Sequence, residues 1–454
     1  MGDTAAAHSS PQAPSRAVVP APRLVAAVAT WTVLCVLVVL WPPFWLLAAV
    51  SLAALAGLAL WDWRILSSSR VSLRRELPER AHVGRAAEIA LVVINEGGAQ
   101  LRGDILEQVA SDLTEVEPSF EGVDLPPGRE ARLRYAVCPR RRGDRPFGRA
   151  VVLVASGIGL VQRRIVLEGA ATLAVYPDTT RFLRAETLNP QRLLSALGVK
   201  ESVRRGEGME FDSLRDYVAG DDPRHIHWAA SARRGRPVVR RNRHERNHNI
   251  IIAVDGSRLM GGRVDERTKL DHAVDAALAL AYMSLSCGDR VSLLVFDRQV
   301  RGCWARRGQR GDFGPLVELL RRVEPQAVEP DYGRLVREIT AVQKQQALVV
   351  VLTDFVEVAA ASLIDPLAIL ARRHRSLLVA IRDRVYEAWD QDDPDAGDPL
   401  GLYRRLVLDD LLRERETALG KLRRRGFQTL DLPPAQLTAP VLNKYLALRY
   451  GGSL

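Results

Sequence analysis

The sequence predicts three successive architectures: a two-helix transmembrane hairpin, a small antiparallel β-sandwich, and a doubly wound α/β domain. Three observations carry this. Between Arg23 and Asp62 no charged residue occurs. From about Val71 to Tyr176, short runs of period-two alternation are separated by Gly and Pro turns, as in a half-buried antiparallel sheet. From Asn249 onward, continuous apolar runs alternate with helical patterns, the signature of buried parallel strands joined by crossover helices. The boundaries are 1–23 for a disordered tail, 24–61 for the hairpin, 62–180 for the sandwich, 181–248 for a charged linker, and 249–454 for the α/β domain.

Pro42-Pro43 splits the uncharged stretch into 24–40 and 44–61, because two adjacent prolines break the helical ladder. Each half spans about 26 Å as helix, close to the roughly 30 Å of bilayer hydrocarbon. Trp31, Trp41, Trp45, Trp61 and Trp63 gather mainly near its ends, where amphipathic rings prefer the membrane interface. Arg16 and Arg23 precede the first pass, and Arg64, Arg70, Arg74 and Arg75 come after the second. The positive-inside rule therefore expects a multi-pass protein of the cell inner membrane or plasma membrane, with N- and C-termini cytoplasmic. The formal charge of +10 suits a chain held against anionic lipid. Four cysteines, none spaced as C-x-x-C, offer neither a disulfide framework nor a zinc ribbon.

Within the sandwich, Asn95-Glu96-Gly97-Gly98 and Leu125-Pro126-Pro127-Gly128 read as turns. In the α/β domain the strands are expected at 249–254, 290–296, 347–352 and 376–381, with helices at 268–287, 313–323, 332–343 and 363–373. An acidic loop at 390–398, a helix at 402–425, a strand at 427–432 and a helix at 439–449 complete it. In such sheets ligands collect at the carboxyl ends of the strands.

The linker is the most informative stretch. Six carboxylates stand between Glu207 and Asp222, among them Glu210, Asp216 and Asp221, and the basic run from Arg224 to Arg246 then faces only Glu245. Asp222-Pro223 reads as an N-cap and first helical residue, giving a helix from 223 to about 233 that stops near Gly235. Two readings of the charges stand: the halves pair with each other, or they form a recognition surface for a protein partner built from Glu210, Asp216, Asp221, Asp222, Arg224 and Trp228. His225 and His227 are two apart, whereas helical metal-ligand pairs sit three or four apart, so zinc is not expected there. At the first parallel strand's end stands Asp255-Gly256-Ser257-Arg258, and at another Thr353-Asp354. Asp255, Ser257 and Asp354 are hard oxygen ligands of the kind Mg²⁺ prefers; the alternative is that both aspartates accept backbone N–H bonds of the succeeding helices. The chain holds no G-x-x-x-x-G-K-[ST] loop, G-x-S-x-G elbow or H-E-x-x-H pair, which removes the common ATPase and hydrolase signatures.

The run 206–228, continued by Ala229-Ala230-Ser231-Ala232-Arg233, closely resembles the signature of the domain-of-unknown-function 58 family, membrane-anchored proteins with a von Willebrand factor A-like domain. The resemblance implies that the α/β domain has this fold and that the chain keeps company with MoxR-type AAA+ ATPases in adaptor or chaperone-like work. It also implies a metal site of the form Asp-x-Ser-x-Ser with a threonine and an aspartate on two further loops. Here Asp255, Ser257 and Asp354 match, but Leu259 replaces the second serine and 330–334 offers no threonine. Arg258 is placed to stand in for a cation, and Asp331 to replace the threonine. The expectation is a non-catalytic, membrane-tethered cytoplasmic adaptor whose strand-end face, with Arg258, engages an AAA+ ATPase or its client. No cofactor is expected, Mg²⁺ being the one ion such a degenerate site would take. The alternatives are a metal-dependent membrane-associated hydrolase, and nucleic-acid binding through Arg233 to Arg246, which the scarcity of nearby aromatics disfavours.

Overall fold

Alternation of buried and exposed residues along Leu101–Glu107 and Arg149–Ser156 builds the first unit as paired antiparallel strands. The computed structural model describes residues 18–40, 45–178, 210–218, 226–243, 248–303, 310–355, 360–382 and 399–450. The chain divides into two units, Met1–Tyr176 and Pro177–Leu454.

The first unit contains β1 (Val18–Pro20), α1 (Pro22–Leu40), α2 (Trp45–Ser68), β2 (Val71–Glu76), β3 (Ala81–His82), β4 (Ala87–Asn95) and β5 (Leu101–Glu107). It continues with β6 (Ser119–Leu125), β7 (Glu130–Val137), β8 (Gly143–Pro146), β9 (Arg149–Ser156), β10 (Val161–Glu168) and β11 (Thr172–Tyr176). One sheet has the order β1-β10-β9-β5-β6, a second β2-β4-β7, and a small third β3-β11-β8. Leu73, Leu91 and Val93 join Ile105, Val152, Val154 and Leu167 in one core, so this is a β-sandwich. Both expected turns are present, and Gly128 takes the positive φ of 66° that only glycine adopts freely.

The apolar helices lie side by side, the Trp31 indole donating to the Ala48 carbonyl at 3.1 Å. Among the described residues α2 is long and apolar enough to cross a membrane, whereas the part Pro22–Val36 of α1 is a shorter apolar helical stretch. The last turns of α2 leave the apolar stretch and enter the sandwich. Asp62, wholly buried, accepts from the backbone N–H of Leu160 at 2.8 Å and Val161 at 2.9 Å and from the Ser156 hydroxyl. Arg163 donates to the carbonyls of Leu66 at 2.7 Å and Ser69 at 3.1 Å, satisfying orphan acceptors at the helix C-terminus. Val18–Pro20, placed by the sequence in the tail, pairs with the same strand through Val18 and Arg163. Both polar ends of the helix pair therefore meet the sandwich.

In the second unit the linker forms a two-stranded hairpin of β12 (Glu210–Asp216) and β13 (Val238–Arg243), with α3 (Trp228–Arg234) in the connection. The α/β sheet is built from β14 (Asn249–Asp255), β17 (Arg290–Phe296), β18 (Val300–Cys303), β19 (Leu348–Asp354), β20 (Arg375–Ile381) and β21 (Gln428–Leu432), in the order β18-β17-β14-β19-β20-β21. A short hairpin, β15 (Arg263–Val264) and β16 (Arg267–Thr268), comes after β14. Five strands are parallel, and β18, which the sequence does not announce, adds an antiparallel edge. The helices are α4 (Lys269–Ser286), α5 (Phe313–Arg321), α6 (Tyr332–Val342), α7 (Ala360–Ala371), α8 (Pro399–Arg424) and α9 (Thr438–Tyr450), close to their expected spans. The central strands are apolar and buried almost throughout, as a sheet covered on both faces requires. The acidic loop at 390–398 lies outside the described residues.

Candidate functional site

Adjacent parallel strands β14 and β19 bring Asp255 and Thr353-Asp354 together at their carboxyl ends. Asp255 Oδ1 accepts from the Ser257 backbone N–H at 2.8 Å, an Asx-type turn, and Oδ2 accepts from the Thr353 hydroxyl at 2.5 Å. The Tyr332 hydroxyl, at the start of α6, lies 2.9 Å from Thr353 Oγ1. With Thr353 donating to Asp255, Tyr332 is the donor of that bond, and a buried relay runs from tyrosine through threonine to carboxylate. The Tyr332 ring is fixed by Phe296, centroids 5.5 Å apart. Burial pushes the Asp255 carboxyl up to about 6; hydrogen bonds from Thr353 and Ser257 oppose this, and the Asp354 charge adds to it. Burial, then the Asp255 charge, also holds the Tyr332 hydroxyl well above its ordinary range. Ser257 Oγ is buried without a well-formed hydrogen bond, although it stands close enough to Asp255 to favour the ionised carboxyl.

Asp354 has a different partner. Lys269 Nζ lies 2.7 Å from Asp354 Oδ2, the two side chains 4% and 5% exposed. Lys269 is the first residue of α4, placed there by the capping box of Thr268 and Asp271. Sequence patterns alone do not single it out. The available signal was a lysine at the first position of a helix whose apolar face is buried, where the helix dipole disfavours a cation unless a specific anion holds it.

Two expectations are corrected here. Arg258 does not stand in for a cation at the aspartates: its backbone N–H bonds Val328 O at 3.0 Å, and its guanidinium pairs with exposed Glu329 at 3.0 Å. Asp331 does not replace the missing threonine as a ligand, because it is the N-cap of α6 and accepts from Arg334 N at 2.8 Å. The side chain that this loop sends to the site is Tyr332. With an ammonium on Asp354, Leu259 in the second hydroxyl position and Asp331 turned to its helix, the residues present do not fit an octahedral Mg²⁺. No group of three or more His, Cys, Asp and Glu that would hold a metal occurs among the described residues.

A second cation closes the neighbouring strand ends. Arg415 of α8 donates to the carbonyls of Phe355 and Ile381, the latter at 3.2 Å, and pairs with Asp431 at 2.9 Å.

In the linker hairpin the register sets Glu210 opposite Arg243 and Asp216 opposite Val238, and Asp216 pairs with Arg236 at 2.8 Å. Asp221, Asp222 and Arg224 lie outside the described residues, as does the expected Asp222 cap. The described helix starts later than expected, at Trp228: His227 is its N-cap, Nδ1 accepting from Ala230 N at 3.1 Å, and Gly235 ends it at φ 66°. Trp228 is 72% exposed. Residues 213–399, which take in most of this hairpin and most of the α/β sheet, match the family described as "Protein of unknown function DUF58". Over these residues the chain carries a DUF58 family region.

Its relatives include the uncharacterized proteins Mb1516 of Mycobacterium bovis and Rv1480 of Mycobacterium tuberculosis. Each is 26% identical over 217 residues, 46% of this chain and 67% of theirs. Among solved structures, the conserved hypothetical protein BatB from Bacteroides thetaiotaomicron is 13% identical, with a TM-score of 0.30 over 44% of this chain and 100% of its own. The vWF domain of the type V pili tip protein Mfa5 from Porphyromonas gingivalis is 11% identical, with a TM-score of 0.32 over 46% and 97%. The CARDB domain of PF1109 from Pyrococcus furiosus is 19% identical, with a TM-score of 0.18 over 24% and 88%.

Proposed function

We propose that this protein is a membrane-tethered adaptor that presents a protein-binding face on the cytoplasmic side. The observation that carries the reading is Trp228, a large aromatic standing 72% exposed at the head of α3 in the signature hairpin. An indole left in water beside arginines is the residue type that anchors protein interfaces. Arg233 and Arg234 stand on the same short helix. The tether is α2, and the two-pass reading is supported by β1 and the end of α2 returning to one sandwich strand. Basic residues Arg64 and Arg70, at and just beyond the end of α2, favour a cytoplasmic location for the sandwich and the α/β unit. An AAA+ ATPase of the MoxR type, implied by the family resemblance, is the partner this reading selects. Asp255, Ser257 and Asp354 then serve as the frame of the strand-end face, with Arg258 at its rim, and catalyse nothing. Nucleic-acid binding is disfavoured by the pairing of Arg236 with Asp216, since phosphate contact needs free arginines.

The test is affinity capture of the full chain from detergent-solubilised membranes of its own cells, wild type against Trp228→Ala. Loss of an AAA+ ATPase from the variant's eluate is expected. Recovery of the same proteins in the same amounts from both would remove the α3 face from the account.

A further inference from the structure

The carboxylates at the ends of β14 and β19 resemble a divalent-cation site, yet one of them already carries a positive charge. We infer that the ammonium of Lys269 is the resident cation of these strand ends, so that the chain braces its sheet top without a divalent ion. This brace is independent of the adaptor role and holds whatever the partner is.

The contact is short and dry: 2.7 Å between Nζ and Asp354 Oδ2, with both side chains almost fully buried. Breaking it would take the ammonium away from a buried carboxylate. Its placement is costly in every other respect. Lys269 opens the 18-residue helix α4, where the aligned peptide dipoles repel a cation, and its stem runs beneath Gly262. A Cβ on Gly262 would meet Lys269 Cε at 3.1 Å and Nζ at 3.4 Å, so the backbone has given up a side chain where the lysine passes. The Lys269 backbone N–H bonds Gly262 O at 2.9 Å, and the reciprocal capping of Thr268 and Asp271 fixes the helix start from which the side chain departs. These features agree in delivering an ammonium to Asp354.

The same geometry excludes a metal. Mg²⁺ sits about 2.1 Å from its carboxylate oxygens and demands near-octahedral surroundings. Placed on Asp354 it would share that carboxylate with an ammonium and be repelled by it. Asp255 is held from the other side by Thr353 and the Ser257 backbone, and Leu259 brings no oxygen to this corner. Removing the lysine should reverse the situation, because Asp354 would lose this ammonium while the buried Asp255 carboxylate, which feels its charge, and the Ser257 hydroxyl stay nearby, oxygen donors of the kind a hard cation takes.

The experiment measures thermal unfolding of the full chain in detergent with chelator and with millimolar MgCl₂ or MnCl₂, together with Mn²⁺ binding monitored by electron paramagnetic resonance. Wild type is expected to melt at the same temperature in all conditions and to bind no Mn²⁺ at this site. Lys269→Ala is expected to melt lower in chelator, to regain about 5 °C or more with Mn²⁺, and to lose that gain when Asp354→Asn is added. Lys269→Met keeps the stem that packs on Gly262 and is read the same way if the alanine variant does not fold. A saturable Mn²⁺ signal in wild type that Asp354→Asn abolishes would overturn the inference. So would a folded Lys269→Ala or Lys269→Met that is indifferent to divalent ions.

Discussion

Single side chains decide what the two strand-end aspartates do. Asp255 and Asp354 are near neighbours in space, yet one is braced by hydroxyl and amide donors and the other by an ammonium. Because burial raises the Asp255 carboxyl to about 6 from 3.8, the folded state holds its proton more tightly than the unfolded chain. The stability this group contributes is full below about pH 3.8 and is lost as pH rises through about 6. The shift of roughly two pK units corresponds to a contribution on the order of 3 kcal/mol. Denaturant unfolding at pH 4 to 7 should show this downward slope in wild type and a flatter one in Asp255→Asn; equal slopes would mean that Asp255 titrates normally. Thr353→Val removes one donor from Asp255 and the acceptor of Tyr332 and should cost about 1–3 kcal/mol, read from the same curves. The aspartates were legible in the sequence because Asp-x-Ser after an apolar strand has a recognisable form. Lys269 was not, because nothing local marks a surface-type residue as buried: its partner lies 85 positions away, and Arg258, nearer in sequence, points outward to Glu329.

At the scale of elements, the joint between α2 and the sandwich does most to set the architecture. Asp62 and Arg163 exchange roles across it, a carboxylate taking sheet amides and a guanidinium taking helix carbonyls. Asp62→Ala would strand the amides of Leu160 and Val161 and should destabilise the first unit by about 2–4 kcal/mol, with limited proteolysis quickening at residues 156–161. Inside the sandwich, Arg75 reaches Glu107 at 2.7 Å and Gly148 O at 2.9 Å, almost without exposure, while its guanidinium carbon lies 5.7 Å from the Phe147 ring centroid. Burial raises the Glu107 carboxyl, and Arg75 pulls it back. Arg75→Ala should therefore cost about 3–5 kcal/mol, measured by chemical unfolding of the full chain in detergent. Elements with a strong period were readable: the buried strands of the α/β sheet and the helices at 269–286 and 332–342 lie within a residue or two of their expected ends. Edge strand β18 was not, because a four-residue run containing Arg301 and Gly302 carries no period. The start of α3 was misplaced because Asp222-Pro223 is a strong local cap signal, while His227 takes the capping role in the described helix.

For the whole molecule, the succession of apolar helices, sandwich and α/β sheet was readable from charge and periodicity, since each regime imposes its own pattern over tens of residues. What escaped was long-range pairing. No local rule announces that Val18–Pro20, ahead of the apolar helices, belongs to a sheet whose partner strand begins at Val161. At the far end, Asp289 gathers the Tyr445 hydroxyl at 2.6 Å and the Arg449 guanidinium, fastening α9 beneath α4. Tyr445→Phe should lower the unfolding midpoint by a few degrees in a thermal melt, whereas Trp228→Ala should leave that midpoint unchanged. The strand β1 has a consequence for biosynthesis. It leaves the ribosome long before β10 exists, so α1 and α2 emerge while the sandwich still lacks an outermost strand. Until β1 returns, β10 presents a bare edge of the kind that recruits foreign strands. A bulky fusion placed just before Val18 should accordingly yield aggregated protein, and the same fusion placed after residue 450 should not.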